Sequence, residues 1–167
     1  MSTTVDIPKL DWFERYKRLI DFGWGVLGAE EDFIYHKWGR EALDEFLQQT
    51  RPKWSGEVAK KLIQKLKLKP DVEGAIKLLG VYGQEIWGYG DPQYFEAKLE
   101  SPTRGTFANL VCRGWVKTPE HCREMNCDIA CSLEFGGVVN ALSPDLKVTL
   151  TKAFPRGDDR CEYTVEL

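Results

Sequence analysis

Residues 94–117 read YFEAKLESPTRGTFANLVCRGWVK, and this stretch decides the fold. Phe95, Ala97 and Leu99 alternate with Glu96, Lys98 and Glu100, the period of a half-buried strand. Pro102 to Gly105 supplies a turn, and residues 106–117 give a second strand, with Ala108, Leu110, Cys112 and Gly114 on one face. Strand, turn and strand predict an antiparallel hairpin.

Before this hairpin the apolar residues recur at helical spacing instead. The pattern predicts four helices: Asp11 to Leu27, Glu30 to Gln49, Ser55 to Leu66, and Asp71 to about Ile86. Asp11, Ser55 and Asp71 are the caps. Gly23, Gly25 and Gly28 weaken the end of the first helix, and Arg51-Pro52 ends the second. The glycine-rich residues 88–92 lack the flanking strand and the Lys-Ser/Thr pair of a phosphate loop.

After the hairpin, Thr118-Pro119-Glu120 opens a helix that runs to about Leu142, broken near Asn126. Strands follow at 146–154 and 160–167. The last has Cys161, Tyr163, Val165 and Leu167 on its apolar face. Segregated helices and antiparallel strands define an α+β domain, with one sheet of three or four strands and helices packed on one face. We read residues 1–167 as a single domain, 1–90 a mainly helical layer and 91–167 the strands plus one helix.

Of the 167 residues, 23 are basic and 26 acidic, a net charge of −3 that argues against nucleic acid as the main partner. The lysines at 60, 61, 65, 67 and 69 read as a solvated helix face. A basic start with an apolar core, and any apolar run of membrane-spanning length, are both missing, so a cytoplasmic protein is expected, neither exported nor membrane-bound. Aromatics make up 12% of the chain and either fill the core or line a cavity.

All five cysteines fall in the second half: Cys112, Cys122, Cys127, Cys131 and Cys161. An odd number in a reducing compartment reads as thiols rather than a disulfide framework. Three readings are open. The thiols are buried small hydrophobes, or metal ligands, although Cys122-x4-Cys127-x3-Cys131 is not a zinc knuckle, or one is a reactive thiolate beside a cation such as Arg113, Arg123, Lys152 or Arg160. Cys127, Cys131 and Glu134 share one face of a predicted helix. His36 reads as a surface or packing residue; on the metal reading His121 offers a nitrogen ligand, although it and the adjacent Cys122 point different ways on a helix.

Cys112-Arg113-Gly114-Trp115, Cys131-Ser132-Leu133-Glu134, Asn140 to Pro144, and Gly157-Asp158 with Cys161-Glu162-Tyr163 resemble the L-2-amino-thiazoline-4-carboxylic acid hydrolase family and the related 4-vinyl reductase-type domains. The resemblance covers about the last 60 residues. Glu134 replaces that family's aspartate, and three residues separate Asn140 from Pro144. Cys122 and Cys127 match nothing in the family pattern.

The resemblance implies the ligand-binding fold of nitric-oxide sensors and TRAPP-type trafficking subunits, with an apolar pocket between helices and sheet. It implies hydrolytic opening of a cyclic thiazoline towards L-cysteine, with Cys131 as nucleophile, Glu134 as proton carrier, and Cys161 and Cys112 in support or joining Cys131 as ligands of zinc or iron. The alternative is a non-catalytic module that binds a small molecule or a metal. The expected partner is a small molecule, with homodimerisation left open.

Overall fold

The protein is described by a computed structural model that covers residues 11–86, 94–112 and 126–167, without the side chains of 85–86 and 126–128. Helix α1 spans Trp12–Trp38, α2 Arg40–Leu66 and α3 Val72–Ile86. Strands β1 (Phe95–Ser101) and β2 (Arg104–Asn109) form the expected hairpin. A π-helical segment, Asn126–Cys131, leads into α4, Ser132–Leu142. Strands β3 (Lys147–Lys152) and β4 (Cys161–Glu166) complete one antiparallel sheet in the order β1-β2-β4-β3. The α+β architecture is as the sequence implies.

The helical layer differs from expectation in two places. Helix α1 does not end at Leu27. It continues to Trp38, because Trp24, Gly28 and Glu31 carry its buried face past the glycines. The break falls at Gly39, whose φ of 86° lies where side-chain-bearing residues are strained. Pro52 does not end the second helix either. One helix replaces two, because Leu43, Leu47, Arg51, Ser55, Ala59 and Leu62 keep a continuous buried stripe across the proline. Tertiary burial outweighs the hydrogen bond that proline withholds. The Asp71 cap is as expected: its carboxylate accepts from the Gly74 N–H at 2.7 Å.

The strands are shorter than their alternation suggests. Strand β2 stops at Asn109, so Cys112 follows the strand rather than sitting in it. Leu167 is exposed rather than on the apolar face. Residues 88–92 and 113–125, with Cys122, His121, Arg113 and Arg123, lie outside the described residues, as does the Cys127 side chain.

The core sits between the helices and one sheet face. Phe135 of α4 is fully buried at its centre, with ring centroids 4.3 Å from Tyr163 of β4, 6.2 Å from Phe107 of β2 and 6.2 Å from Tyr82 of α3. Helix α4 crosses α2 at very short range. A Cβ on Gly137 would lie 2.4 Å from the Ser55 Oγ and 2.5 Å from the Pro52 carbonyl oxygen. Gly56 meets the Gly137 carbonyl from the other side, at 3.4 Å from its own projected Cβ.

Candidate functional site

Close crossing of α2 and α4 brings charged side chains into the interior. Arg51 lies on the buried stripe of α2, Glu134 on the buried face of α4, and Glu31 on that of α1. All three are nearly inaccessible, at 6%, 2% and 2% exposure. Arg51 Nη2 donates to Glu31 Oε1 in a close ion pair, and Nη1 lies 3.5 Å from Glu134 Oε2. Glu134 Oε1 accepts from the Tyr82 hydroxyl at 2.8 Å. One cluster therefore ties together α1, α2, α3 and α4.

Two carboxylates share one guanidinium, and charge removed from water is costly unless paired. Burial, opposed by Arg51, raises the affinity of Glu31 for a proton above that of an ordinary glutamate, and the neighbouring Glu134 charge adds to it. Burial draws the Arg51 guanidinium down, but Glu134 and Glu31 outweigh it and keep the group charged. Burial, then the Glu134 charge, pushes the Tyr82 phenol up, so it remains a hydrogen-bond donor at every physiological pH.

The expected site residues divide between this cluster and the core. Glu134 is at the cluster's centre. Cys131 is buried and close to both Arg51 and Tyr82. Cys112 and Cys161 are buried with it in the main apolar core. Cys161 pairs across the sheet with Asn109, which places it near the strand end that leads to Cys112. Among the described residues, no group of three or more Cys, His, Asp or Glu side chains is placed to hold a metal ion. Cys112, Cys131 and Cys161 thus share a core without forming a ligand set.

The two expected cations among the described residues are elsewhere. Lys152 lies 3.5 Å from Glu162, and Arg160 2.9 Å from Glu96, both at the sheet surface. Among the described residues, Arg51 is the cation near Cys131. His36 is exposed, on α1 rather than on the second helix, 3.4 Å from Asp32.

Arg51 also forms part of the floor of an open groove between α1 and α2. Phe22, Gly23, Val26 and Leu27 line one side, and Phe46, Thr50 and Trp54 the other, around about 420 Å³. The resemblance places an apolar pocket between helices and sheet. Along the centre of the sheet that space is occupied by the rings of Phe135, Phe107 and Tyr163, and the residues that line this groove all belong to α1 and α2.

Sequence reasoning passes over Glu31, Arg51 and Tyr82. The four-residue spacing of Leu43, Leu47, Arg51, Ser55 and Ala59 is the available signal, since it puts an arginine on an otherwise apolar stripe.

No protein-family model matches the chain, and no curated protein matches it in sequence. In fold it is similar to a trafficking protein particle complex subunit 3 from Naegleria fowleri, which was crystallised covalently bound to palmitic acid. The TM-score is 0.54 and the identity 14%, over 89% of this chain and 93% of that one. At that identity the likeness is one of fold. The class defined is thus the α+β fold of the TRAPP-type subunits, helices over a four-stranded antiparallel sheet. Among the described residues no helix is long and apolar enough to cross a membrane.

Proposed function

We propose that this chain is a binding module for a small, uncharged, largely apolar molecule or alkyl chain. The observation that carries the reading is the α1–α2 groove, whose volume of about 420 Å³ falls within the range of small-molecule sites. Aromatic and aliphatic side chains make up most of its walls. Phe22 and Trp54 remain 69% and 47% exposed at its mouth, apolar surface that a ligand would withdraw from water. The Arg51 charge at the floor is already engaged by Glu31 and Glu134, so apolar area rather than charge governs selection. The structural neighbour's palmitic acid is a ligand of this chemical kind, held by that protein.

N-phenyl-1-naphthylamine, an uncharged fluorescent apolar probe, tests this directly. It is expected to bind saturably at one per chain. Thr50→Trp, which fills the groove from the α2 side, should weaken binding at least about tenfold, the loss of roughly 1.4 kcal/mol of contact. Unchanged probe binding in a folded Thr50→Trp protein would reject the groove as the site.

A second reading, hydrolysis of a cyclic thiazoline, is favoured by one observation: Cys131 lies in the field of Arg51, one helical turn before Glu134. Attack by the Cys131 sulfur on the ring carbon between nitrogen and sulfur, with Glu134 delivering a proton to the departing ring nitrogen, opens the ring and leaves that carbon bonded to both Cys131 Sγ and the substrate sulfur; water then displaces Cys131 and yields the S-carbamoyl derivative of L-cysteine. If this reading holds, Cys131→Ser abolishes ring opening of 2-amino-thiazoline-4-carboxylate while leaving the fold intact. Turnover that persists in the serine variant removes Cys131 from the chemistry.

A further inference from the structure

Seven of the twelve large hydrophobic side chains exposed among the described residues belong to α1. They are not scattered. Trp12, Leu19, Val26 and Phe33 recur every seventh residue, and Phe22 lies between two of them on the same side of the helix. Each is between 40% and 76% exposed. A seven-residue repeat is the seam of two helices wound around each other, since 3.5 residues per turn keeps such positions facing a partner. The seam runs about 32 Å at 1.5 Å per residue. The opposite face of α1, with Trp24, Gly28 and Glu31, is already buried against this chain.

We propose that α1 is a self-association surface, pairing antiparallel with α1 of a second copy of this chain. Three observations select that occupant and that direction. First, charge: centred pairing places Val26 against Phe22 of the second copy and Leu19 against Ala29. The same register sets Arg18 beside Asp32 of the second copy, twice by symmetry. Parallel pairing instead sets Arg15 against Arg15 across the seam.

Second, glycine: Gly25 sits inside α1, where glycine costs about 1 kcal/mol relative to alanine. A Cβ there would meet nothing within 4 Å, so the chain itself does not require the missing side chain. In the antiparallel register Gly25 flanks the seam beside Gly25 of the second copy, close to the two-fold axis, where the missing side chains leave the helices room to approach.

Third, amphipathic closure: the seam shares Phe22 and Val26 with the rim of the α1–α2 groove, so the second copy's helix covers apolar surface that is otherwise wet. The pairing stands whether or not the groove holds a ligand, because Arg18, Asp32 and Phe33 do not line it.

Sedimentation velocity over a concentration series up to about 100 µM, well above the micromolar end of protein interfaces of standard size, reads the association. The full chain is expected to dimerise. Arg18→Glu sets a carboxylate against Asp32 of the second copy and should raise the dissociation constant by about tenfold or more, because like charges at an interface are costly. Asp32→Arg should do the same, and the double variant Arg18→Glu/Asp32→Arg should restore the dimer by reversing both signs. Phe33→Lys should yield monomer with an unchanged circular dichroism spectrum. A monomeric wild-type chain at the highest concentration overturns the proposal. So does a dimer that ignores both single charge reversals, or singles that dissociate without rescue in the double.

Discussion

Replacing Arg51 by methionine is expected to lower the unfolding free energy by about 3–5 kcal/mol, the cost of leaving buried charge without its partner. The substitution keeps most of the length of the side chain and its apolar stem, so packing against α4 changes little. What changes is that Glu31 and Glu134 face each other without a cation between them. The loss has a pH signature with a definite sign. Glu31 already takes up a proton more readily in the folded chain than an ordinary glutamate, because burial disfavours its charge. A carboxyl whose folded-state proton affinity is raised supports the fold below its unfolded pKa, and that support is lost as pH rises through the folded value. In Arg51→Met the effect grows, so the penalty should be smaller at pH 5 than at pH 8. Urea unfolding of wild type and variant at both pH values measures it. A penalty independent of pH would mean that the lost packing of the arginine stem, not the charge, sets the cost. Adding Glu31→Gln and Glu134→Gln to Arg51→Met should recover part of the stability, since an apolar or neutral cluster needs no counter-ion.

The second large effect is expected at Gly137. Gly137→Ala should destabilise by about 2–4 kcal/mol, at and above the upper range of ordinary overpacking, because the clash is with the backbone of α2. The added methyl would sit 2.5 Å from the Pro52 carbonyl oxygen and 2.7 Å from its Cα, and backbone in a packed helix cannot rotate away. Gly136 provides the contrast one residue earlier. A Cβ there meets nothing within 4 Å, so Gly136→Ala should gain up to about 1 kcal/mol from helix propensity alone. Neighbouring glycines in one helix thus respond with opposite sign. Differential scanning calorimetry should show the Gly137 variant melting lower by roughly 5–15 °C, at about 2–4 °C per kcal/mol for a domain of this size. Equal melting temperatures for the two variants would refute the close crossing.

Much of the architecture is legible from period alone. The existence of the hairpin, the Asp71 cap and the alternation of Cys161, Tyr163 and Val165 follow from local patterning, although the second strand ends at Asn109 rather than at Lys117. The failures share a cause. Gly25 and Pro52 carry strong local stop signals, yet both helices run through them because residues on either side bury the same face. Local propensity cannot report a contact with a segment distant in sequence. The site shows the same division. Glu134 and Cys131 stand out as a pair one helical turn apart, whereas Arg51 reaches Glu134 from 83 residues away and Glu31 joins them from another helix altogether. Arg51 is hidden further by its position beside a proline, whose backbone signal masks the stripe. The exposed aromatics of α1 read in sequence as core or pocket lining, because composition cannot show that their helix turns them outward.

The strand order has a bearing on how the chain reaches this state. Strand β4 lies between β2 and β3, and its pairing with β2 joins residues as remote as Arg104 and Glu166. Each hairpin can close early, since the loops involved are short. Joining the two hairpins requires a much longer loop to close, and that entropy is lost before the β2–β4 hydrogen bonds form. Until then β2 and β4 each present an open edge, and an open edge is a template for pairing with another chain. Helix α4, docked on α2 through Gly137 and pinned by Glu134, lies in sequence between the two hairpins and shortens the distance they must search. The buried ion cluster and the glycine crossing therefore act as a kinetic guide as well as a brace, and damage to either prolongs the interval in which the half-built sheet is vulnerable to aggregation.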